Sequence, residues 1–187
     1  MNTLIDSIRG EYLRYKKLAE GAIAQLDDDE LAARPDGRNS IIVICWHVSG
    51  NLRSRFTDFL TSDGEKPWRQ REEEFADRAA TRAELMAKWD EGWAVLLEAL
   101  KQLTDDQLHA TVTIRGQGWE VHEALQRSLA HTAYHVGQIV YIAKSLRADK
   151  WKFLSIPPGQ SDAYNQKPAM DRPSAHAAAV DAATARG

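Results

Sequence analysis

Six histidines punctuate the chain, at positions 47, 109, 122, 131, 135 and 176, and helix geometry sorts them by the chemistry open to them. His131 and His135 lie four residues apart in AHTAYHVGQI. On a helix that spacing projects both imidazoles from one face, where they can chelate a single ion. His122 precedes His131 by nine residues. Nine steps of about 100° put it on the opposite face, which excludes it from that ion. His109 falls before a glycine-containing turn and His176 near the C-terminus, so the remaining partner is His47, in VICWHVSGN. Facing helices can bring it to the pair whatever the separation along the chain. The bland alternative is a set of core or surface histidines bonded to carbonyls or solvent. Against it stands the polarity around them. His131, His135 and Gln138 form a polar stripe beside the apolar Leu125, Leu129, Val136 and Val140, and His47, Asn51 and Ser54 form another beside an apolar face. Two such borders suggest a shared pocket, because polar groups left unsatisfied there would cost a few kcal/mol. Asn51 and Gln138 are then the residues placed to steady a ligand or orient a substrate.

These residues need helices to hold them. From Thr3 to Leu26 the apolar positions Ile5, Ile8, Tyr12, Ala19, Ala22 and Leu26 step by threes and fours, the signature of a helix with one buried face. The following segment, DDDELAARPDGRNS, reads as a break, with Asn39 or Ser40 as the next N-cap. The second helix is expected to run to about Leu60 along Ile41, Cys45, Val48, Leu52, Phe56 and Phe59. Residues 61–80 carry Gly64, Pro67 and dense charge and read as a long irregular connection. Thr81 and Glu84 have capping-box spacing, and Leu85, Trp89, Trp93, Leu96 and Leu100 trace the seam of the third helix. TVTIRGQGW reads as a hairpin, and the fourth helix as Glu120 to Leu146. The fold class is therefore all-α, a four-helix bundle with a small hairpin before the last helix. A helix of about 20 residues is roughly 30 Å long, whereas about 20 extended residues reach roughly 60 Å. The 61–80 segment can thus cross the whole bundle and let the second and third helices run parallel. Residues 1–166 form the expected domain. Residues 167–187, rich in alanine and proline, read as a mobile tail.

Composition narrows the function. The chain has 187 residues, 43% hydrophobic and 27% charged, with a net charge of -3, so no global positive field draws it to nucleic acid or an acidic membrane. A single cysteine, Cys45, permits no internal disulfide and suits a reducing compartment. No apolar run spans a bilayer and no signal peptide is evident, so the expected location is cytoplasmic. Cys45 lies two residues from His47, about 200° away on a helix, and reads as a core thiol. Trp89 and Trp93 read as core; Trp68, in GEKPWRQRE, either folds over a pocket mouth or anchors its loop. Arg53, Arg55, Arg69 and Arg71 could face an anionic substrate or thiol cofactor, but the expectation is a solvated surface neutralised by Glu72, Glu73 and Glu74. The last helix is apolar nearly all round, with Tyr134 and Tyr141 away from its Leu125 stripe, and needs a second cover. That cover is either the WKFLSIP segment after Lys150 or a second subunit. Phosphate-binding loops, dinucleotide fingerprints and nucleophile elbows are absent. Thr132 follows His131 where the HExxH motif needs Glu, which removes the usual local base.

With His47, the His131/His135 pair and the segments GNLRSRFTDFLTSDGEKPW and AHTAYHVGQIVYIAK, the chain resembles the DinB-like superfamily of putative metalloenzymes over about residues 1–166. The resemblance implies a crossover four-helix bundle, often homodimeric, whose three histidines bind a divalent metal such as zinc or nickel. It also implies, for some relatives, a low-molecular-weight thiol as cosubstrate. The expected function is a metal-dependent enzyme that activates water or such a thiol toward a small-molecule substrate. The rival is a non-catalytic dimeric metal-binding or stress-response module.

Overall fold

The computed structural model describes residues 3–34, 37 and 39–168. It is mostly helical, with one two-stranded hairpin. In chain order the elements are α1 (Leu4–Ile23), α2 (Asp28–Ala32), α3 (Ile41–Phe56), α4 (Arg82–Gln102), β1 (Thr111–Ile114), β2 (Gln117–Glu120), α5 (Val121–Arg147) and α6 (Ser161–Gln166). Helix starts follow side-chain chemistry. The Thr3 and Asp6 side chains cap α1 reciprocally, and Thr81 and Glu84 do the same for α4. Ser40 Oγ accepts the Val43 N–H of α3 at 3.2 Å.

Two expectations need correction. The acidic segment after α1 is not simply a break, because Asp27 and Glu30 form a capping box that starts α2 and buries Leu31. The second expected helix ends at Phe56, four residues before Leu60. Thr57 is extended and Asp58 takes the left-handed region (φ 48°), which turns the chain while Phe59 remains buried. The short helix α6 lacks a core stripe to announce it and buries no residue. The expected tail falls almost wholly on residues 169–187, outside the described residues.

Pairwise contacts fix the helix directions. Ser49 Oγ donates to Lys88 O at 2.5 Å, Arg53 pairs with Glu91 at 2.8 Å, and residues 56–61 lie beside 94–103. Both numbers rise together, so α3 and α4 run parallel. They approach closely at Gly92, where an added Cβ would lie 2.6 Å from the Ser49 Cα. The Tyr12 hydroxyl donates to Leu125 O at 3.0 Å, and Gln25 bonds the Lys152 backbone at the other end, so α1 and α5 are also parallel. In contrast, α3 and α5 are antiparallel: His47 meets His131, while Arg55 shares a cavity wall with Ala124. Between them lies one core, in which Tyr12 meets Phe56 and Trp93 edge-on and Trp89 packs on Trp93. Cys45 is fully buried in it, and burial pushes its thiol pKa up.

The segment 57–81 makes the long return that parallel α3 and α4 require, and the hairpin holds it. Gly64 N–H donates to Thr113 O at 2.7 Å, and the Asp63 carboxylate accepts the Arg115 and Gly116 N–H groups at 2.8 Å each. Those two residues adopt positive φ (54° and 70°) in the turn, a conformation that suits the hairpin's twist. The WKFLSIP segment covers the α1–α5 end, with Leu154 against Gly21, but leaves Tyr134 and Tyr141 exposed at 63% and 69%. Among the described residues, no helix is long and apolar enough to cross a membrane.

Candidate metal centre

His47 projects from the middle of α3 and is 5% exposed; His131 and His135 project from adjacent turns of α5. The antiparallel packing of these helices brings the three rings together. His47 Nε2 lies 3.2 Å from His131 Nε2. Ring centres are 5.2 Å apart for His47 and His131, 4.8 Å for His47 and His135, and 4.6 Å for His131 and His135. One ring nitrogen from each lies within 4.8 Å of the other two.

The outer nitrogens of two rings are already committed, whereas His131 Nδ1 is buried without a hydrogen-bond partner among the described residues. His47 Nδ1 is 2.9 Å from Glu74 Oε2, and His135 Nδ1 is 2.8 Å from Gln138 Oε1. A carboxylate and an amide oxygen can only accept, so both Nδ1 atoms donate, and in the neutral form of each ring Nε2 is left with its lone pair. Gln138 is fixed in turn by donating to the Tyr134 hydroxyl at 3.1 Å. Glu74 is gripped by Arg69, whose Nε and Nη2 donate to its two oxygens at 2.8 and 2.9 Å. Burial alone would raise the Glu74 pKa, but the bonds from His47 and Arg69 hold it below the ordinary carboxylate value. Burial, assisted by His135, pushes His131 down to about 3, and burial also lowers His135. Neutral imidazoles are the ligating form.

Sequence reasoning missed Glu74 and Arg69. The expected solvated surface is wrong for this pair: the Arg69 side chain is 2% exposed, and Glu74 is buried. It fails also for Arg55, whose side chain is 15% exposed and bonds Gly64 O and Glu65, and holds for Arg71, which pairs with Glu72, while Arg53 pairs with Glu91. Glu74 sits in the short helical turn Glu72–Phe75, and Phe75 covers the His47 ring at 4.6 Å. One signal was present. Gly50 interrupts α3 one turn after His47, and an added Cβ there would collide with the Glu74 carboxylate. An interior helical glycine, costly by about 0.5–1 kcal/mol, marks such a close approach.

The other residues are placed as follows. Asn51 lines a cavity beside His47 and His131, and Trp68, 48% exposed, is stacked by Arg53 at 5.1 Å rather than lining that cavity. Trp89 and Trp93 are core. The structure also gathers a second group that the sequence left scattered: Glu120 Oε2 lies 2.7 Å from His109 Nδ1 and 2.9 Å from His122 Nε2, near the start of α5. His122 is indeed separate from His131, as the helical phase requires.

A mostly helical chain with a small hairpin and a cluster of three imidazoles, one buried and two half-buried, is thus the class that fold and site define. A family model described as "Protein of unknown function (DUF1572)" matches residues 1–160, and the chain belongs to that family, which is DinB-like. Neither a curated protein nor a solved structure matches the chain.

Proposed function

We propose that the four long helices form a crossover bundle whose purpose is to hold one divalent metal ion, zinc or nickel, between His47, His131 and His135. The observation that carries this reading is the set of lone pairs. His47 and His135 each turn an unprotonated Nε2 inward, and a proton on His131 Nε2 can serve only one of them. A cation serves all three, whereas unpartnered polar atoms in a buried site are costly. Spacing agrees: two nitrogens bonded at about 2.0–2.1 Å to a tetrahedral ion lie roughly 3.3 Å apart, close to the 3.2 Å between His47 and His131. The buried carboxylate behind His47 is the partner that orients metal-binding imidazoles in general.

Three protein ligands leave a tetrahedral ion an open position, as catalytic sites do and closed structural sites do not. When bound, the ion supplies Lewis acidity that makes water or a thiol a nucleophile near neutral pH. The chain's own part is to hold His47 through Glu74 and Arg69, to hold His135 through Gln138, and to present Asn51 toward the adjoining cavity. The protein is therefore proposed as a cytoplasmic metal-dependent enzyme, a hydrolase or thiol transferase, acting on a small molecule. The exposed Tyr134 and Tyr141 on α5 favour a homodimer and keep the dimeric non-catalytic module as the second reading.

Elemental analysis of untagged protein tests the metal. One equivalent is expected, lost in His135→Ala; unchanged content in that variant defeats the assignment. Turnover of an electrophile that requires a low-molecular-weight thiol supports the transferase, whereas strong destabilisation by chelator without any turnover supports the module.

A further inference from the structure

His47 and His131 form one wall of a cavity of about 630 Å³, a size suited to a small molecule. The rest of its lining is unusual for a chain with net charge -3: it contains Arg55, Arg69, Arg71, Arg115 and Arg127 and no carboxylate. Arg69 is spent on Glu74. Arg55 and Arg115 share a single acid, Glu65, whose Oε2 lies 3.2 and 2.9 Å from them. Among the described residues, Arg71 pairs with one carboxylate, that of Glu72, which is 87% exposed. Arg127 has no carboxylate partner among the described residues, its guanidinium lying 5.3 Å from the Trp119 ring centre. With Asp63, which holds the Arg115 backbone and feels the Arg55 charge, five guanidiniums meet four carboxylates, none of which lines the cavity, so positive charge faces the concave side.

We propose that this cavity binds a small anionic molecule carrying a carboxylate or phosphate group, held by Arg55, Arg115 and Arg127. Guanidinium groups present paired donors that match the oxygens of either group, and the fixed forks lose little freedom on binding. Arg55 is positioned for this by bonds to Gly64 O and Glu65, and Arg115 by the hairpin turn that Asp63 secures. The crossover and the hairpin therefore build the anion site together, while α3 and α5 build the imidazole cluster behind it. As an account of the substrate, the proposal rests on the metal-site reading, since that site supplies the reacting end; anion binding itself depends on the arginines.

The test is calorimetric titration of the zinc-loaded full chain with inorganic phosphate and with succinate, at about 0.15 M salt to screen diffuse attraction. Succinamide serves as the uncharged control. Both anions are expected to bind and succinamide not to. Arg115→Gln with Arg127→Gln should weaken binding about tenfold or more, with metal content unchanged and no effect of the distant Arg14→Gln. Arg127→Gln alone, a change to an exposed side chain, carries the test if the double variant does not fold. Failure of both anions to bind overturns the proposal, as does binding that Arg14→Gln reduces as much as Arg127→Gln does. Phosphate binding that His131→Ala abolishes but the arginine variants leave intact also overturns it. Phosphate binding that survives His131→Ala and falls in the arginine variants supports it, even where metal analysis rejects the three-imidazole site.

Discussion

His47, His131 and His135 meet beneath the crossover segment, whereas His109, His122 and Glu120 meet at the surface near the start of α5. In the surface group the carboxylate stands between the imidazoles, with one oxygen 2.7 Å from His109 and 2.9 Å from His122. Both imidazoles bond that one carboxylate within the group. In the interior group the carboxylate stands behind one imidazole, so the nitrogens that face one another lack a counter-charge. Where the acid sits, rather than how many histidines gather, separates a set of side chains that satisfy one another from one whose facing nitrogens do not.

That contrast is sharpest in metal content. His131→Ala should lose the bound metal outright and His122→Ala should keep it, as read by elemental analysis; the reverse result would exchange the roles of the two clusters. Next in size is Glu74→Ala, which strands the buried Arg69 charge. A loss of about 3–5 kcal/mol is expected in urea unfolding of the chelator-treated protein. Glu120→Ala, at a solvent-exposed carboxylate, should leave the unfolding midpoint nearly unchanged. Gln138→Leu should weaken zinc binding roughly 10–100-fold in a competition titration, because it frees the His135 ring while sparing all three ligands.

A further contrast is in pH dependence. His131 has its pKa lowered from 6.5 to about 3, so below pH 6.5 the unfolded chain takes up a proton that the folded chain refuses. Metal-free protein should therefore lose stability as pH falls from 6.5 toward about 3. His131→Ala should flatten that part of the profile. The surface group behaves differently. Glu120 is lowered by the His109 hydrogen bond, so its contribution is present above the ordinary 4.5 and lost only as pH falls below it. A slope above pH 5 that persists in His131→Ala would assign it elsewhere.

Much of this was legible before any coordinates. The long helices followed from apolar steps of three and four, and the starts of α3, at Asn39 or Ser40, and of α4, at Thr81, from capping chemistry that acts over a few residues. The facing of His131 and His135 followed from the helical period. Asp58 was less visible, because nothing in the type of an aspartate dictates the left-handed turn that ends α3. Glu74 was hidden for a different reason. Three consecutive glutamates look alike in sequence, and which one is buried depends on how the crossover lies against Gly50 and Arg69.

The amino-acid sequence alone determined the local periods and caps, the identity of the three candidate imidazoles and the net negative charge. These are properties of neighbours along the chain, fixed by backbone geometry over one or two turns. Tertiary structure decided that α3 and α5 run antiparallel, that Glu74 stands behind His47, and that five arginines crowd one cavity in an otherwise acidic protein. Burial and charge balance are set by residues distant in sequence, and only packing brings those together.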